Sequence, residues 1–209
     1  MKVYKNAIVW DWGGVIGANG DHFRCPALLQ ATGRTPEELN LRYHNMEQAL
    51  YVGAMTTSDF WTALCQSLDV SIPISTLLDE YNATMSVRKS YLDLTKQFSQ
   101  SEHLLCSNIG PDGMEWIFRT LAVEDFFVWW WFSCLVGLRK PQPSIFYRIE
   151  QWTAFPVSRH CLVDDSEENC SAARARGWTS IKVDSTMSAT TIAGQIKEWE
   201  TADQCHSVA

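Results

Sequence analysis

At 209 residues, and with about 150 residues to a typical domain, the chain has room for one large domain or one domain with an insertion, and three independent domains are excluded. A hydrophobic fraction of 46% against 20% charged residues is the balance of a chain that buries a sizeable core, which excludes a disordered protein. Seventeen Lys and Arg against 24 Asp and Glu leave a net charge of −7 with no basic cluster, so no nucleic-acid partner is expected.

The longest purely apolar run, Phe126 to Phe132, has seven residues, against the ~20 that a membrane span needs. The first residues lead straight into a strand-like segment, without the apolar region and cleavage site of a signal peptide, so a cytoplasmic protein is expected. Seven scattered cysteines without a CxxC pair read as reduced thiols. Cys106, Cys134 and Cys161 lie in or beside apolar runs and read as small core residues. Oligomeric state is left open.

In chain order, the first strand-length apolar run is Ala7-Ile8-Val9-Trp10, ending in Asp11. From 17 to 85 no such run occurs and helix starts take over. Thr35 can cap a helix with Pro36 at its first position and Glu38 three residues on, and a helix opening near Thr57 puts Phe60, Trp61 and Leu64 on one face. A helix from about Val87 to Phe98 leads into His103-Leu104-Leu105-Cys106, which ends in Ser107-Asn108. The run Phe126 to Phe132 ends in Ser133, which reads as a structural turn residue. Cys161-Leu162-Val163 ends in Asp164-Asp165, and Thr179 to Val183 ends in Asp184. Beyond Glu200 the polar tail is expected to fray.

Near-continuous apolar strands alternating with helices indicate a parallel sheet covered on both faces. The expected fold is α/β: a Rossmann-like three-layer core formed by residues 1–16 and 86–209, with residues 17–85 inserted as a helical cap. Ligands of such sheets bind beyond the carboxyl ends of the strands. Asp11, Ser107, Asp164 and Asp165 all sit at run ends, so parallel pairing would bring them together although they are far apart in sequence. Taken singly, Asp11 could be a turn residue, Lys140 a solvated surface lysine and Asp164-Asp165 a helix cap.

The segment Ile8-Val9-Trp10-Asp11-Trp12-Gly13-Gly14-Val15-Ile16 resembles the first motif of the haloacid dehalogenase-like superfamily, a strand ending in a nucleophilic aspartate. Leu104-Leu105-Cys106-Ser107-Asn108 resembles its second motif. Gly137-Leu138-Arg139-Lys140-Pro141, with Pro143 and Ile145-Phe146 beyond, resembles the third, and Leu162-Val163-Asp164-Asp165-Ser166 through Asn169 resembles the acidic fourth. The order is right and nearly the whole chain is covered. The resemblance implies that Asp11 attacks phosphorus, that Ser107, Asn108 and Lys140 hold the phosphoryl group, and that Mg²⁺ is bound by Asp11, the Gly13 carbonyl and Asp165, with Asp164 beside it. Mg²⁺ suits such a set because it takes oxygen ligands and one or two carboxylates. The implied partner is a small-molecule phosphate or diphosphate.

One departure stands out. Phosphatases of this superfamily carry an acid–base aspartate two residues after the nucleophile, and this chain has Gly13 there. Such assistance is typically worth 10²- to 10⁴-fold, or ~3 to 5 kcal/mol. Asp21 or His22 could substitute. The ten tryptophans raise a second possibility, because Trp12, Trp129 and Trp131 could line an aromatic pocket for a hydrophobic or cationic species. Some fungal members of the superfamily are terpene cyclases that ionise a prenyl diphosphate, and Asp164-Asp165-Ser166-Glu167-Glu168 spells the DDxxE string of such enzymes. Core packing explains the same tryptophans without a pocket. The sequence thus supports a Mg²⁺-dependent phosphomonoester hydrolase, with a terpene cyclase or a non-catalytic ligand-binding protein as alternatives.

Overall fold

The computed structural model describes residues 4–17 and 25–205, apart from the side chains of 202–205. Five strands, β1 (Ala7–Trp10), β2 (Glu102–Ser107), β3 (Trp129–Phe132), β4 (His160–Asp164) and β5 (Thr179–Lys182), pair in parallel in the order β3-β2-β1-β4-β5. Alternation along each strand divides its apolar side chains between two faces. Ile8, Trp10, Leu105, Cys161 and Val163 face one way, and Ala7, Val9, Leu104, Cys106 and Leu162 the other. The first face is covered by α5 (Lys89–Gln97), α6 (Pro111–Thr120) and α10 (Ala189–Cys205); the second is covered by α8 (Pro143–Thr153) and α9 (Glu167–Ala175). Both faces are buried, which is why the strands read as unbroken apolar runs. This is the expected three-layer α/β core.

From β1 the chain steps outward to β2 and β3, then returns across the sheet to place β4 on the other side of β1. The order reverses at β1, and the crevice beyond its carboxyl end is where such sheets bind ligands.

Among the described residues, four helices lie between Gly17 and Val87: α1 (Pro26–Thr32), α2 (Pro36–Tyr51), α3 (Thr57–Ser67) and α4 (Ile74–Thr84). The capping box expected at Thr35 is present. The Thr35 hydroxyl accepts from the Glu38 N–H at 3.3 Å and the Glu38 carboxylate accepts from the Thr35 N–H at 3.0 Å. In α3 the cap is Thr56, one residue before the expected start, and Phe60, Trp61, Leu64 and Cys65 are buried together. Tyr43 meets the Phe60 ring edge-on at 5.0 Å, and the helices share one apolar cluster with the sheet. Where the chain leaves and rejoins the sheet layer, Gly17 pairs with Val87 in an antiparallel bridge, and the Arg88 N–H donates to the Ile16 carbonyl at 2.7 Å.

Two expectations shift. The third strand starts at Trp129, not Phe126: Val123–Asp125 forms a short 3-10 turn, Phe127 turns into the core, and Val128 donates to the His103 carbonyl just before the ladder begins. The helix expected to end near Glu200 runs on, with Trp199 seated in the core and α10 reaching Cys205; the tail beyond Cys205 lies outside the described residues. Cys106 and Cys161 are buried as expected, whereas Cys134 is half-buried with its thiol 3.9 Å from the Met114 sulfur. No helix among the described residues is long and apolar enough to cross a membrane.

Candidate active site

The sheet register builds the site. Trp10 pairs with Leu105 on one side and Val163 on the other, so Asp11 stands level with Cys106 and Asp164 at the carboxyl ends of three adjacent strands. The Asp11 N–H donates to the Val163 carbonyl at 2.9 Å, which extends the ladder to the aspartate itself. Lys140 enters from the segment after α7 (Ser133–Val136), and its Nζ lies 2.9 Å from Asp11 Oδ1 and 2.6 Å from Asp164 Oδ2. It is 1% exposed, so the reading as a solvated surface lysine does not hold.

Asp11, Asp164 and Asp165 each offer a carboxylate oxygen, all within 4.8 Å of one another. Asp164 is fixed from below: its Oδ1 accepts from the Ser166 N–H at 2.9 Å and from Asn169 Nδ2 at 3.0 Å. Three carboxylates thus gather around one buried ammonium, which contacts Asp11 and Asp164 directly. Burial pushes the Asp11 carboxyl up to about 8; Lys140 opposes the rise, and Asp164 and Asp165 add to it. Burial works against the Lys140 charge, but Asp11 and Asp164 outweigh it and raise its pKa.

The chain after Asp11 folds into a tight loop, in which Asp11 Oδ1 accepts from the Trp12 N–H at 2.7 Å and the Trp12 carbonyl accepts from the Gly17 N–H at 2.7 Å. Gly14 takes φ +69° and lies against Asp165, whose carboxylate would overlap any β-carbon at that position. Gly13 is not among the glycines with positive φ. Arg88, which no motif singles out, donates from Nη1 to the Gly14 carbonyl at 2.8 Å. Its only available signal was its place where the chain returns from the inserted helices.

Ser107 ends β2, 3% exposed and one position beyond the level of Asp11. Asn108, expected to help hold the phosphoryl group, has its side-chain amide directed at the Lys140 peptide. Its Nδ2 donates to the Lys140 carbonyl at 2.7 Å and its Oδ1 accepts from the Lys140 N–H at 2.9 Å, so the amide holds the lysine's backbone. Ser133 is buried at the start of α7, where its hydroxyl accepts from the Ile109 N–H and donates to the Ile109 carbonyl.

The tryptophans do not form a common pocket, which corrects that expectation. Trp12 is buried on one face of the sheet, edge-on to Trp116. Trp131 packs on the opposite face. Trp129 pairs with Leu104 at the start of β3, ~10 Å before that strand's carboxyl end at ~3.3 Å per residue. It is 43% exposed and stacks on Trp152. β3 is an edge strand, so its first residue faces solvent and not the crevice. The DDxxE string also comes apart: Asp164 and Asp165 join the carboxylate cluster, while Glu168 is exposed on α9. Asp21 and His22 lie outside the described residues.

No protein-family model and no curated protein sequence matches the chain. Solved structures do resemble it. A HAD family enzyme from Bacteroides thetaiotaomicron superposes with a TM-score of 0.76 at 20% identity, covering 88% of this chain and 96% of that one. The same enzyme has been solved in complex with magnesium and inorganic phosphate, where the TM-score is 0.71. A predicted HAD-like family hydrolase from Porphyromonas gingivalis gives 0.74 at 18% identity, covering 93% of this chain and 98% of that one. L-2-haloacid dehalogenase from Xanthobacter autotrophicus, with chloropropionic acid covalently bound, gives 0.64 at 15% identity over 90% of this chain and 81% of that one. With the strand order, the inserted helices and the strand-end aspartates, these likenesses establish that the chain has the haloacid dehalogenase-like fold.

Proposed function

We propose that the chain is a Mg²⁺-dependent phosphatase-like hydrolase of the haloacid dehalogenase-like superfamily, acting on a small organic phosphate through Asp11. The observation that carries this reading is the position of Lys140 between Asp11 and Asp164, with Asp165 closing a three-carboxylate cluster at the strand ends. The magnesium and phosphate complex of the Bacteroides enzyme supports it.

The donor set fits Mg²⁺. It is all oxygen, and when ionised its three carboxylates exceed the single Lys140 charge, an excess that a divalent cation would offset. Asp11 and Asp165 would hold the ion with the Gly13 carbonyl, and Asp164 would anchor Lys140. When bound, the ion lowers the repulsion between carboxylate and phosphate.

The remaining steps belong to the chain. An Asp11 oxygen attacks phosphorus, the bond to the leaving oxygen breaks, and the phosphoryl group becomes an acyl phosphate on Asp11. The Lys140 ammonium neutralises charge on the transferring oxygens, and the Ser107 hydroxyl donates to one of them. Water then attacks phosphorus, which releases phosphate and restores the aspartate. With glycine at position 13, the leaving oxygen takes its proton from outside the first motif. The reading therefore favours substrates whose leaving groups need little protonation. The helices within 17–85 serve as the cap that encloses the substrate. The separated tryptophans leave the prenyl-diphosphate alternative without the pocket it rested on.

The test is hydrolysis of p-nitrophenyl phosphate and a panel of sugar phosphates with and without Mg²⁺. Metal-dependent phosphate release that Asp11→Asn abolishes, with an unchanged melting curve, is the expected result. Full activity in Asp11→Asn would overturn the reading.

A further inference from the structure

Lys140 reaches the site from a connecting segment, so something must hold it. Among the described residues no backbone group bonds to the Lys140 N–H or C=O; the flanking turn is closed by Arg139 and Gln142 instead. A buried peptide left without partners is costly, and here both of its groups are met by one side chain, the Asn108 amide, at 2.7 and 2.9 Å. Two bonds from one planar amide fix orientation as well as distance.

The adjoining residue carries a matching brace in the reverse sense. The Ser133 hydroxyl accepts from the Ile109 N–H at 2.9 Å and donates to the Ile109 carbonyl at 3.3 Å. Two consecutive residues after β2 are thus tied by side-chain to backbone pairs to the segment between β3 and α8, one tie in each direction. Ser107 immediately precedes the first tie, and Lys140 is its other end.

We infer that Asn108 is a positioning residue, which sets the separation between the Ser107 hydroxyl and the Lys140 ammonium by holding the Lys140 peptide. The inference deepens the reading of Lys140 and Ser107 as phosphoryl-binding groups and rests on it for its effect on turnover. Its effect on the lysine itself stands on the geometry alone. Asn108 acts through Lys140, so its loss disturbs the step in which charge develops on the phosphoryl group more than it disturbs ground-state binding.

Two measurements on the full chain decide it. In the first, Asn108→Ala is assayed on p-nitrophenyl phosphate with Mg²⁺. A misplaced catalytic group costs about 10²-fold, so kcat falls by about ten- to a hundredfold while KM changes by less than about threefold. A KM raised about tenfold with kcat unchanged would instead make the amide a direct phosphate ligand and overturn the inference. In the second, the resting protein is treated with acetic anhydride and acetylation of Lys140 is followed by peptide mass analysis. The native lysine, buried between Asp11 and Asp164, resists; Asn108→Ala acetylates it several-fold faster.

Asn108→Ser, which meets one of the two Lys140 groups, falls between them, and it stands in for the alanine variant if that fails to fold. Ser133→Ala leaves the amide tie in place and acetylates Lys140 more slowly than Asn108→Ala. Equal acetylation in the native protein and both Asn108 variants would sink the inference. An absence of phosphatase activity in the native chain would count against the proposed function alone, because the acetylation arm needs no turnover.

Discussion

Gly14 and Asp165 are packed face to face: the glycine sits at φ +69°, and the aspartate carboxylate occupies the space where a side chain at position 14 would begin. The second glycine of the first motif is therefore fitted to the fourth motif. Gly14→Ala adds ~1 to 2 kcal/mol of left-handed backbone strain and drives Asp165 away from Asp11 and Asp164. The expected outcome is a lower melting temperature together with a Mg²⁺ affinity reduced by about tenfold or more by calorimetry.

Arg88 supports the same loop from the other side through the Gly14 carbonyl. Arg88→Met keeps the aliphatic stem but removes both the hydrogen bond and the guanidinium that lies 5.6 Å from the Tyr91 ring centre. A higher Mg²⁺ requirement with little change in phosphate affinity is expected. An unchanged metal titration would mean that the loop's own backbone bonds, with the Arg88 N–H to Ile16 carbonyl bond, hold it without the guanidinium.

Gly13, by contrast, does not need the left-handed region. Gly13→Asp should fold, and it restores a carboxyl two residues from the nucleophile. Turnover of monoesters with poor leaving groups should rise toward the ~10²-fold end of acid catalysis, with a smaller gain on p-nitrophenyl phosphate. A stable variant with no gain on any monoester would count against the phosphatase reading.

The tryptophans separate into two classes of variant. Trp61 is 1% exposed, and Trp61→Ala should cost ~3 to 5 kcal/mol by equilibrium unfolding. Trp129 loses its stacks on Trp130 and Trp152, and Trp129→Ala should cost ~1 to 2 kcal/mol.

His160 makes stability sensitive to acid. Its ring is fully buried against Trp178, Nδ1 faces the Pro156 and Val157 carbonyls, and burial lowers its pKa below 6.5. The unfolded chain binds the proton more readily, so the contribution is complete above ~6.5 and is lost as pH falls from there through the lower folded value. Denaturant unfolding between pH 7 and 5 should show a steeper loss in the native chain than in His160→Gln.

The strands were legible because burial on both faces writes them as plain apolar runs, and the aspartates because they end those runs. Thr35 announced its helix through a local capping pattern. What stayed hidden depended on contacts between distant segments. Asn108 follows a strand-end serine, and nothing local says that its amide is spent on a peptide 32 residues away. Arg88 reaches back 74 residues to Gly14. The tryptophan run was misread for another reason: sequence gives the alternation along β3 but not that the strand lies at the sheet edge, where its first residue meets water.

Gly17 and Val87 are bridge partners, so the backbone departs for the inserted helices and comes home at a single point. A loop whose ends already touch can be lengthened, shortened or exchanged with little change in closure entropy and no shift in the register of β1 and β2. The sheet and its strand-end aspartates form a fixed socket, and the segment between those two residues is a natural grafting unit. Helices transplanted there from a protein of the same fold would leave the carboxylate cluster intact while replacing the surface that faces it.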